Sequence, residues 1–433
     1  MRKWIIAMLI TAATNADAQQ IVPLSLQQAF DITLKSNYDI RIARNNLTAS
    51  QALNTAGNAG ALPIVAVSAR DKESSTDIQQ EFSNGTNIQR NGVASNTMSG
   101  DAIVSYILFN GFRIQASRER LNAVQKLNQE ELLSGIQNTL ANVTVKYFDV
   151  VRQYTYRKAL MRSRDFSEKK LEIINARTQA GLSNDADLFQ ARIDFNTTDQ
   201  NLAEQHLLIR KSEVELAQLL ALSPDTFFLL NDSILIDRSI SRDTVFSFID
   251  QQPQLASATA KIVISEQQLR EIRSQRYPSL RLDGGYSYNR SANAAGFSLL
   301  NIYHGPAIGA TLQVPLYNGG AVKSQEKAAR LQIDNARLEQ EKTRLNLKAQ
   351  AIASYEAYTT ALNQLDAQQE SFRLAGQVLD IQLMRFKEGQ STILDLRAAQ
   401  SSYEQTAAAL VNAMFVAKIA ETELKRLMCR LGS

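Results

Sequence analysis

The chain has 433 residues, of which 44% are hydrophobic and 21% are charged, with a formal net charge of +4 at pH 7. This small and interleaved excess of basic residues gives no support for nucleic-acid binding, and the ordinary apolar content excludes a bundle of membrane-spanning helices. The single cysteine, Cys429, excludes an internal disulfide and a multi-cysteine metal site. The two histidines, His206 and His304, lack the spacing of metal ligands, so we interpret them as surface or loop residues.

Residues 1–18 have the features of a secretory signal peptide. The basic residues Arg2 and Lys3 precede the apolar run Trp4–Ala13, which is too short to span a bilayer as a helix, and Ala16-Asp17-Ala18 is a small-x-small cleavage site. The alternative is a retained N-terminal anchor. No cysteine follows the cleavage site, so a lipid-anchored N-terminus is not expected. The sequence therefore predicts a protein that leaves the cytoplasm.

The mature chain begins with a predicted helix, Ser25–Ala59, which Ser25 caps and Pro63 terminates. After Pro63 the apolar period changes from the helical value to two, which predicts two strands with one apolar face. Their apolar positions are Val65, Val67 and Ala69 on the first strand and Val104, Tyr106 and Leu108 on the second. Between them Asp71–Thr97, rich in Ser, Asn, Gly and charge, predicts a long loop.

The second strand leads into a motif that occurs twice. Leu108-Phe109-Asn110-Gly111 returns 208 residues later as Leu316-Tyr317-Asn318-Gly319. A second pair of landmarks, Arg177 to Gly181 and Arg385 to Gly389, has the same offset. Because two landmarks recur with no net insertion between them, we infer an internal duplication.

Each copy of the motif opens a very long predicted helix. Phe112–Ala180 and Gly320–Glu388 each contain 69 residues and no proline. A helix of that length spans roughly 100 Å and is stable only when it packs along its length against others. After Gly181 and Gly389 the chain turns, and Leu182–Leu222 and Ser391–Leu427 are predicted to be the returning helices of two hairpins.

The second half of the chain repeats the first. A predicted helix from Ser247 to Arg276 ends at Pro278, strands follow at Leu280–Asn289 and Ala307–Leu316, and a polar loop, Arg290–Gly305, lies between them. The chain therefore divides into the signal peptide 1–18, a first repeat 19–222, an irregular inter-repeat segment 223–246 and a second repeat 247–433. The predicted fold is mainly α with a small β part, in duplicated helix-strand-loop-strand-long-helix units.

The two-faced strands allow two interpretations. One is an antiparallel sheet half-buried on a soluble core. The other is a membrane β-barrel, with the apolar face toward lipid and an aromatic girdle at its rims. The girdle would contain Tyr106, Phe109, Tyr286, Tyr288, Phe297, Tyr303 and Tyr317. Four strands cannot close a barrel, and a sheet edge is not tolerated in lipid, so the membrane interpretation requires oligomerisation. Two chains would give eight strands, and three would give twelve and a lumen.

The duplicated motif at 108–111 and 316–319, the hairpin at Gly389–Leu396 and the duplicated layout resemble those of the TolC-type outer-membrane efflux proteins, over essentially the whole mature chain. The resemblance implies a homotrimer that combines a shared twelve-stranded barrel in the outer membrane with a trimeric α-helical barrel in the periplasm. It also implies a periplasmic adaptor and an inner-membrane pump as partners, and export as the function.

In this family acidic side chains at the hairpins form a ring at the periplasmic entrance. One ring position corresponds to Asp395; the next corresponds to Ala398, which departs from the acidic pattern. The first hairpin offers Asp185 and Asp187. The alternative role of these aspartates is helix capping, since an aspartate at a helix start is stabilised by the first-turn amides.

Glycines and asparagines mark the expected turning points of the chain. Gly181 and Gly389 are expected to form the hairpin turns, and the resemblance implies that the surface around them docks the adaptor. The expected strand-to-helix junctions are Asn110, Gly111, Asn318 and Gly319.

Two other classes of protein are alternatives: a periplasmic scaffold and a secreted enzyme. A periplasmic scaffold or adaptor would also contain helical hairpins, but it usually has a single hairpin rather than a duplicated helix-strand pattern. A secreted enzyme has no support, because the sequence contains no nucleophile motif, phosphate loop or catalytic histidine arrangement. We therefore expect no enzymatic activity, no cofactor and no metal site.

Overall fold

The computed structural model describes residues 21–230, 232–296 and 298–432. The predicted signal peptide 1–18 and Phe297 of the predicted aromatic girdle lie outside these residues. The elements are β1 (Ile21–Pro23), α1 (Leu26–Ser36), α2 (Tyr38–Leu53), β2 (Ile64–Glu81), β3 (Asn87–Asn110), α3 (Arg113–Gln179), α4 (Asp185–Leu219), β4 (Phe227–Leu229), α5 (Arg242–Ser247), α6 (Pro253–Ser274), β5 (Ser279–Asn293), β6 (Leu300–Gln313), α7 (Ala321–Lys387) and α8 (Ile393–Leu427).

The duplication is present in the backbone. Helices α3 and α7 each have 67 residues, and α4 and α8 each have 35. Residues with a positive φ recur at the offset of the sequence repeat, at Gly111 and Gly319, Gly181 and Gly389, and Ala221 and Cys429. Such backbone conformations are costly for residues other than glycine. Their recurrence at Ala221 and Cys429 shows that the repeat preserves the ends of α4 and α8 even without glycine. The predicted duplicated helix and strand units are confirmed.

The described chain forms two compact units, and each takes residues from both repeats. The first contains residues 21–43, 133–252 and 344–432. Its main core lies where α1, α3 and α4 pack together with the short parallel pair β1–β4. The largest buried side chains of this core are Phe30, Tyr147, Phe148 and Phe228.

In the first unit, an acidic and a basic residue that occur in both repeats contact the inter-repeat segment. Glu213 and Glu421 are both almost fully buried, and each has a basic residue three positions earlier, Arg210 and Lys418. Arg210 and Lys418 also donate hydrogen bonds to main-chain carbonyl oxygens in residues 223–237. A buried carboxylate is stable only with such partners, so the equivalent charges of the two repeats tie the segment to α4 and α8.

The predicted continuous helices at Ser25–Ala59 and Ser247–Arg276 are wrong, because both are interrupted at equivalent points. The breaks lie at Asn37 and Gln252, where ψ is 131° in each case. The Asn37 side chain donates to the carbonyl oxygen of Leu219 at 2.8 Å, and the Gln252 side chain donates to that of Leu427. Each amide thus satisfies the C-terminus of the returning helix of its own repeat. The helical periodicity of the sequence could not predict these breaks, because the hydrogen-bond partner of each amide is far away in the chain.

The second unit, residues 44–132 and 253–343, contains a four-stranded antiparallel sheet in the order β2-β3-β5-β6. The predicted loop Asp71–Thr97 is wrong, since β2 and β3 continue through it to a short turn at residues 82–86. Polar side chains pair across these strands, with Ser74 and Ser95 at 2.8 Å and Asn96 donating to Asp71 at 2.7 Å. Such cross-strand pairs stabilise a sheet without an apolar pattern.

The second hairpin also differs from its prediction. The predicted loop Arg290–Gly305 shrinks to residues 294–299, and the last strand is Leu300–Gln313 rather than Ala307–Leu316. Residues 314–318 therefore lie outside any strand.

The sheet has the two faces that the alternation predicts. The register places Val67 next to Ala102, Ala102 next to Tyr286 and Tyr288 next to His304, all on one face. Most large apolar side chains of this face are exposed, from 37% for Tyr106 to 88% for Ile308, while Leu280 and Leu282 are half-buried. On the other face Ser105 donates to Asp283 at 2.6 Å. Because nothing in the described chain covers the apolar face, the sheet is not half-buried on a core of its own.

Candidate functional site

The hairpin tips are built from matching turns. We define tip 1 as residues 180–184, between α3 and α4, and tip 2 as residues 388–392, between α7 and α8. Gly181 has φ +73° and Gly389 has φ +78°. The amide after each glycine donates back to the last helical turn, from Leu182 to Arg177 and from Gln390 to Arg385, both at 2.8 Å. This left-handed cap closes a helix with a glycine, because a Cβ is strained there.

The returning helices begin with side-chain caps that differ between the tips. At tip 1, Asn184 Oδ1 accepts from the Asp187 amide at 2.8 Å. At tip 2, Thr392 Oγ1 accepts from the Asp395 amide at 3.2 Å, and Asp395 Oδ2 accepts from the Thr392 amide at 3.0 Å, which completes a reciprocal capping box. Both caps satisfy amides at a helix start that have no partner within the helix.

Asp395 is therefore in the capping geometry that was one of its two expected roles. The amide and hydroxyl of Thr392 hold the pKa of the Asp395 carboxyl below its ordinary value. The side chain is also exposed, and its two hydrogen bonds go to the same oxygen, Oδ2. The capping role thus leaves the carboxylate ionised at neutral pH and open to solvent.

The other acidic candidates have different surroundings. Asp187 is half-buried and accepts a hydrogen bond from Ser183 Oγ at 3.0 Å. Asp185 is the first residue of α4 and is exposed. In the described part of the chain no hydrogen bond or ion pair joins either of them to Asp395. Ala398, at the position that is acidic in the resemblance, is exposed on α8.

One residue beside tip 1, which we did not predict as part of the site, connects the two hairpins. Arg177, in the last turn of α3, donates to the carbonyl oxygen of Phe386 at 2.6 Å, and its guanidinium lies 4.8 Å from the centre of the Phe386 ring. An arginine of the first hairpin thus caps the C-terminus of the long helix of the second. Its repeat equivalent, Arg385, donates instead to a carbonyl of its own tip, that of Gln390 at 3.5 Å. Both arginines belong to the repeated sequence motif, and the motif alone gave no reason to expect different contacts for the two.

A buried polar cluster lies further along the same hairpins and was also missed. Lys170 is fully buried, with its ammonium 2.6 Å from Asp194 Oδ2 and 3.3 Å from the side-chain oxygen of Gln400. Gln400 donates in turn to Ser163 at 3.0 Å and Ser167 at 2.7 Å. The cluster therefore links α3, α4 and α8. No sequence signal identifies it, since lysine on a long helix is ordinarily exposed.

The strand-to-helix junctions differ in their surroundings. Gly111 and Gly319 share a left-handed backbone, with φ +68° and +66°. A Cβ at Gly111 would lie 2.6 Å from the Ser274 carbonyl oxygen, whereas a Cβ at Gly319 would meet nothing within 4 Å. Asn110 accepts a hydrogen bond from the Ile114 amide at 3.3 Å, and the carbonyl of Asn318 accepts from the Ala321 amide at 3.3 Å. Both asparagines are therefore at the start of a long helix.

Metal sites and helical membrane spans were both sought among the residues that the structure describes. Among the described residues no group of His, Cys, Asp or Glu side chains could hold a metal ion. None of the described helices combines the length and apolarity that crossing a bilayer requires.

The family model described as outer membrane efflux protein matches residues 29–222 and 247–430. The chain belongs to the outer membrane efflux protein family. The two matched stretches cover most of both repeats and omit the inter-repeat segment. The family places the protein in the outer membrane of a Gram-negative bacterium as an export channel, and its members are passive channels.

Sequence relatives of the chain include named export proteins. The chain is 21% identical over 393 residues to the toxin and drug export protein A of Aggregatibacter actinomycetemcomitans, covering 90% of this chain and 83% of that protein. It is 20% identical over 356 residues to the outer membrane protein TolC of Escherichia coli (strain K12), covering 79% of this chain and 71% of that protein.

Solved structures of similar fold are outer-membrane channels. The Campylobacter jejuni CmeC outer membrane channel matches with a TM-score of 0.77 at 18% identity, covering 94% of this chain and 86% of that chain. The outer membrane protein VceC of Vibrio cholerae matches with a TM-score of 0.74 at 16% identity, covering 93% of this chain and 95% of that chain. At these identities the likeness concerns the fold, and it agrees with the family assignment.

Proposed function

We propose that three copies of this chain form a passive tunnel, with a shared twelve-stranded β-barrel in the outer membrane and an α-helical barrel in the periplasm. The tunnel receives its substrate from an inner-membrane pump through a periplasmic adaptor. The supporting observation is the four-stranded sheet, which has an exposed apolar face, a polar face and two edges without partners. A lipid environment accepts the apolar face but not the open edges.

The proposed number of copies follows from the open lumen that an export channel requires. Two copies would give eight strands, an interior that side chains fill, whereas three give twelve strands and an open lumen. The polar face of the sheet, with Asp283 and Ser105, then lines water rather than protein. A lumen that serves export therefore favours three copies.

The hairpin tips are the proposed periplasmic entrance. Asp395, exposed and ionised, is the first candidate for an acidic ring, and Asp187 and Asp185 are the others. Threefold symmetry repeats each carboxylate three times around the axis, and a ring of carboxylates favours cations. The surfaces around Gly181 and Gly389 are the proposed docking sites for the adaptor, because the glycine turns present the end of each hairpin to solvent.

Negative-stain electron microscopy of the detergent-extracted mature protein tests the assembly. We expect a particle with threefold symmetry, well over 100 Å long, with a detergent micelle at one end, since helices of about 67 residues span roughly 100 Å. A compact monomer that is soluble without detergent would contradict the channel and favour the periplasmic scaffold.

Planar-bilayer recordings of Asp395→Asn test the entrance. Asparagine keeps the shape and the acceptor oxygen of the cap, so the helix start should survive while three charges disappear from the ring. We expect a smaller preference for potassium over chloride, read from the reversal potential in a salt gradient. Asp334→Asn, an exposed position in α7, is the matched control. An unchanged reversal potential in Asp395→Asn would contradict the ring at this position.

A further inference from the structure

A small cavity lies where the inner strands of the sheet meet the helices. Its volume is about 290 Å³, and it lies between the start of α3 and the end of α6. The residues that line it include Phe112, Gln115, Arg270, Arg273 and Tyr277. Helix α3 follows β3 and helix α6 precedes β5, which are neighbours in the sheet of one chain. A single chain therefore completes this cavity, to which the function proposed above gives no role.

The cavity lies on the same side as the apolar face of the sheet. Phe109 pairs with Leu280 at the end of that face. The ring of Phe112, which lines the cavity, meets the ring of Phe109 edge-on, with 5.4 Å between the ring centres. Phe112 and Tyr277 are 66% and 54% exposed. The cavity therefore continues the apolar surface of the sheet toward the helices.

Phe112 keeps its side chain at the cavity in an unfavourable backbone conformation. Its φ is +68°, in the left-handed region that is costly for a residue with a Cβ. The equivalent residue of the second repeat is Gly320, which adopts φ +79° without that cost. The turn therefore does not require an aromatic side chain, and strain of this kind is common where a side chain serves a binding surface.

Two arginines give the cavity a positive charge. Arg270 uses one nitrogen, Nη1, which lies 3.1 Å from Glu119 Oε2. Arg273 Nε lies 3.9 Å from Glu326, and two further arginines share the same carboxylate. Among the described residues, the other guanidinium N–H groups of Arg270 and Arg273 have no hydrogen-bond partner. The cavity thus offers several N–H donors and more positive than negative charge.

The first repeat lacks these charges at the matching junction. Counted back from the proline that ends each predicted helix, the positions of Arg270 and Arg273 correspond to Thr55 and Asn58. Both of these residues are uncharged, so the helix-to-strand junction of the fold does not require arginine. The two charges are therefore a feature of this cavity rather than of the repeat.

We propose that the cavity binds the headgroup of an anionic phospholipid in the periplasmic leaflet of the outer membrane. The helices lie on the periplasmic side of the sheet in this family, so the cavity is at the level of that leaflet. This inference rests on the proposed membrane position of the sheet and adds a specific lipid ligand to it.

The chemistry of the cavity selects the headgroup. Guanidinium groups bind phosphate oxygens through paired hydrogen bonds, and basic pockets at a membrane surface bind acidic headgroups. Phosphatidylglycerol fits better than phosphatidylethanolamine, because the ammonium group of the latter would lie beside two arginines. Phe112 and Tyr277 then contact the glycerol backbone and the first acyl carbons, where interfacial aromatic side chains are common.

Native mass spectrometry of the detergent-extracted mature protein tests the site. With increasing phosphatidylglycerol we expect saturation at one retained lipid per chain, and phosphatidylethanolamine should bind about tenfold more weakly or less. Arg270→Gln with Arg273→Gln should weaken phosphatidylglycerol binding by about tenfold or more. The matched control is Arg113→Gln with Lys323→Gln, which removes two exposed charges at the starts of α3 and α7 outside the cavity. This control should bind the lipid as the unchanged protein does.

Phe112→Gly separates lipid binding from folding. The substitution removes the aromatic side chain and the left-handed strain together, as in the second repeat at Gly320. The unfolding temperature should therefore not decrease, while the binding of phosphatidylglycerol should weaken. A lower unfolding temperature with unchanged lipid binding would assign Phe112 to packing and overturn its place in the site.

The outcomes separate this inference from the proposed function. Trimers that show no saturable binding of phosphatidylglycerol, or that lose it equally in both double variants, would overturn the lipid site and leave the channel intact. Displacement of the lipid by inorganic phosphate would indicate a site for free phosphate and would overturn it as well. A monomer that is soluble without detergent would overturn the proposed function, and the lipid site with it.

Discussion

The two strand-to-helix junctions have the same backbone and different neighbours. At the first junction, Gly111 is buried against the end of α6, while at the second, Gly319 is exposed with open space around it. The strand before Gly111 is inside the sheet, and the strand before Gly319 is at its edge. The same local sequence therefore gives the same turn, and the position in the sheet decides whether the turn is covered.

The hairpins show a similar contrast. Lys170 in α3 is buried in a polar cluster, and its repeat equivalent in α7 is Val378, which is 47% exposed. Arg177 caps the other hairpin, and its equivalent Arg385 donates instead to a carbonyl of its own tip. The duplication preserved the lengths of the helices, while these contacts differ between the repeats: the lysine occurs only in the first repeat, and the arginine occurs in both but bonds to the other hairpin only from the first.

The largest effect is expected at the buried lysine. Lys170→Met should lower the free energy of unfolding by about 3–5 kcal/mol, because it removes the buried cation at 2.6 Å from Asp194 and leaves this carboxylate the more distant Arg397, at 3.7 Å, as its basic partner. Chemical denaturation with fluorescence or circular dichroism measures the loss. Lys170→Met combined with Asp194→Leu should restore much of the stability, since no charge is then left unpaired. If Lys170→Met has no effect, the cluster does not hold the hairpins together.

The second effect separates the junctions. Gly111→Ala should cost the strain of a left-handed alanine, about 1–2 kcal/mol, plus about 1–3 kcal/mol from overlap with Ser274 and Tyr277. Gly319→Ala should lower the free energy of unfolding only by the strain of a left-handed alanine, about 1–2 kcal/mol, because nothing lies within 4 Å of its Cβ position. Thermal unfolding measures the difference, and equal losses would contradict the contrast in crowding.

The third effect concerns the helix breaks, which the repeats share. Asn37→Ala and Gln252→Ala should each destabilise the fold by about 1–3 kcal/mol, because each leaves a helix-end carbonyl without its donor. Asn37→Ala should cost more, since its side chain also accepts from the amides of Asp39 and Ile40. Denaturant titration measures both. A neutral effect at both positions would mean that water replaces the donors.

The smallest effect is a pH dependence confined to tip 2. The folded pKa of Asp395 is lowered by Thr392, so its capping box adds stability above the unfolded value of about 3.9. That stability is lost as the pH falls through the folded value. Hydrogen exchange of residues 392–396, corrected for the intrinsic rate, should therefore increase on acidification. Asp395→Asn should remove this pH dependence, because an asparagine side chain does not titrate, whereas Thr392→Ala should only reduce it, since the main-chain amide of residue 392 still donates to Asp395. The cap of tip 1, Asn184, does not titrate, so its contribution should be independent of pH.

Part of the site could be predicted and part could not. The tip glycines and the positions of the acidic residues follow from a motif that occurs twice at fixed spacing, so the sequence was enough to locate them. The roles of Arg177 and Lys170 could not be predicted, because their partners Phe386 and Asp194 belong to other helices. Whether Asp395 caps a helix or faces a pore also depends on its neighbours, and the structure places it in a cap that remains open to solvent.

The sequence by itself determined the duplication, the long helices, the alternating strands and the glycine turns of this protein. These features are periodic or local, so they depend on residues that are near one another in the chain. Only the tertiary structure decided that the polar residues 71–81 and 87–97 belong to strands, that the helices break at Asn37 and Gln252, and that β2 and β6 are edges. Each of these depends on hydrogen bonds to partners far away in the sequence, or on the lack of one.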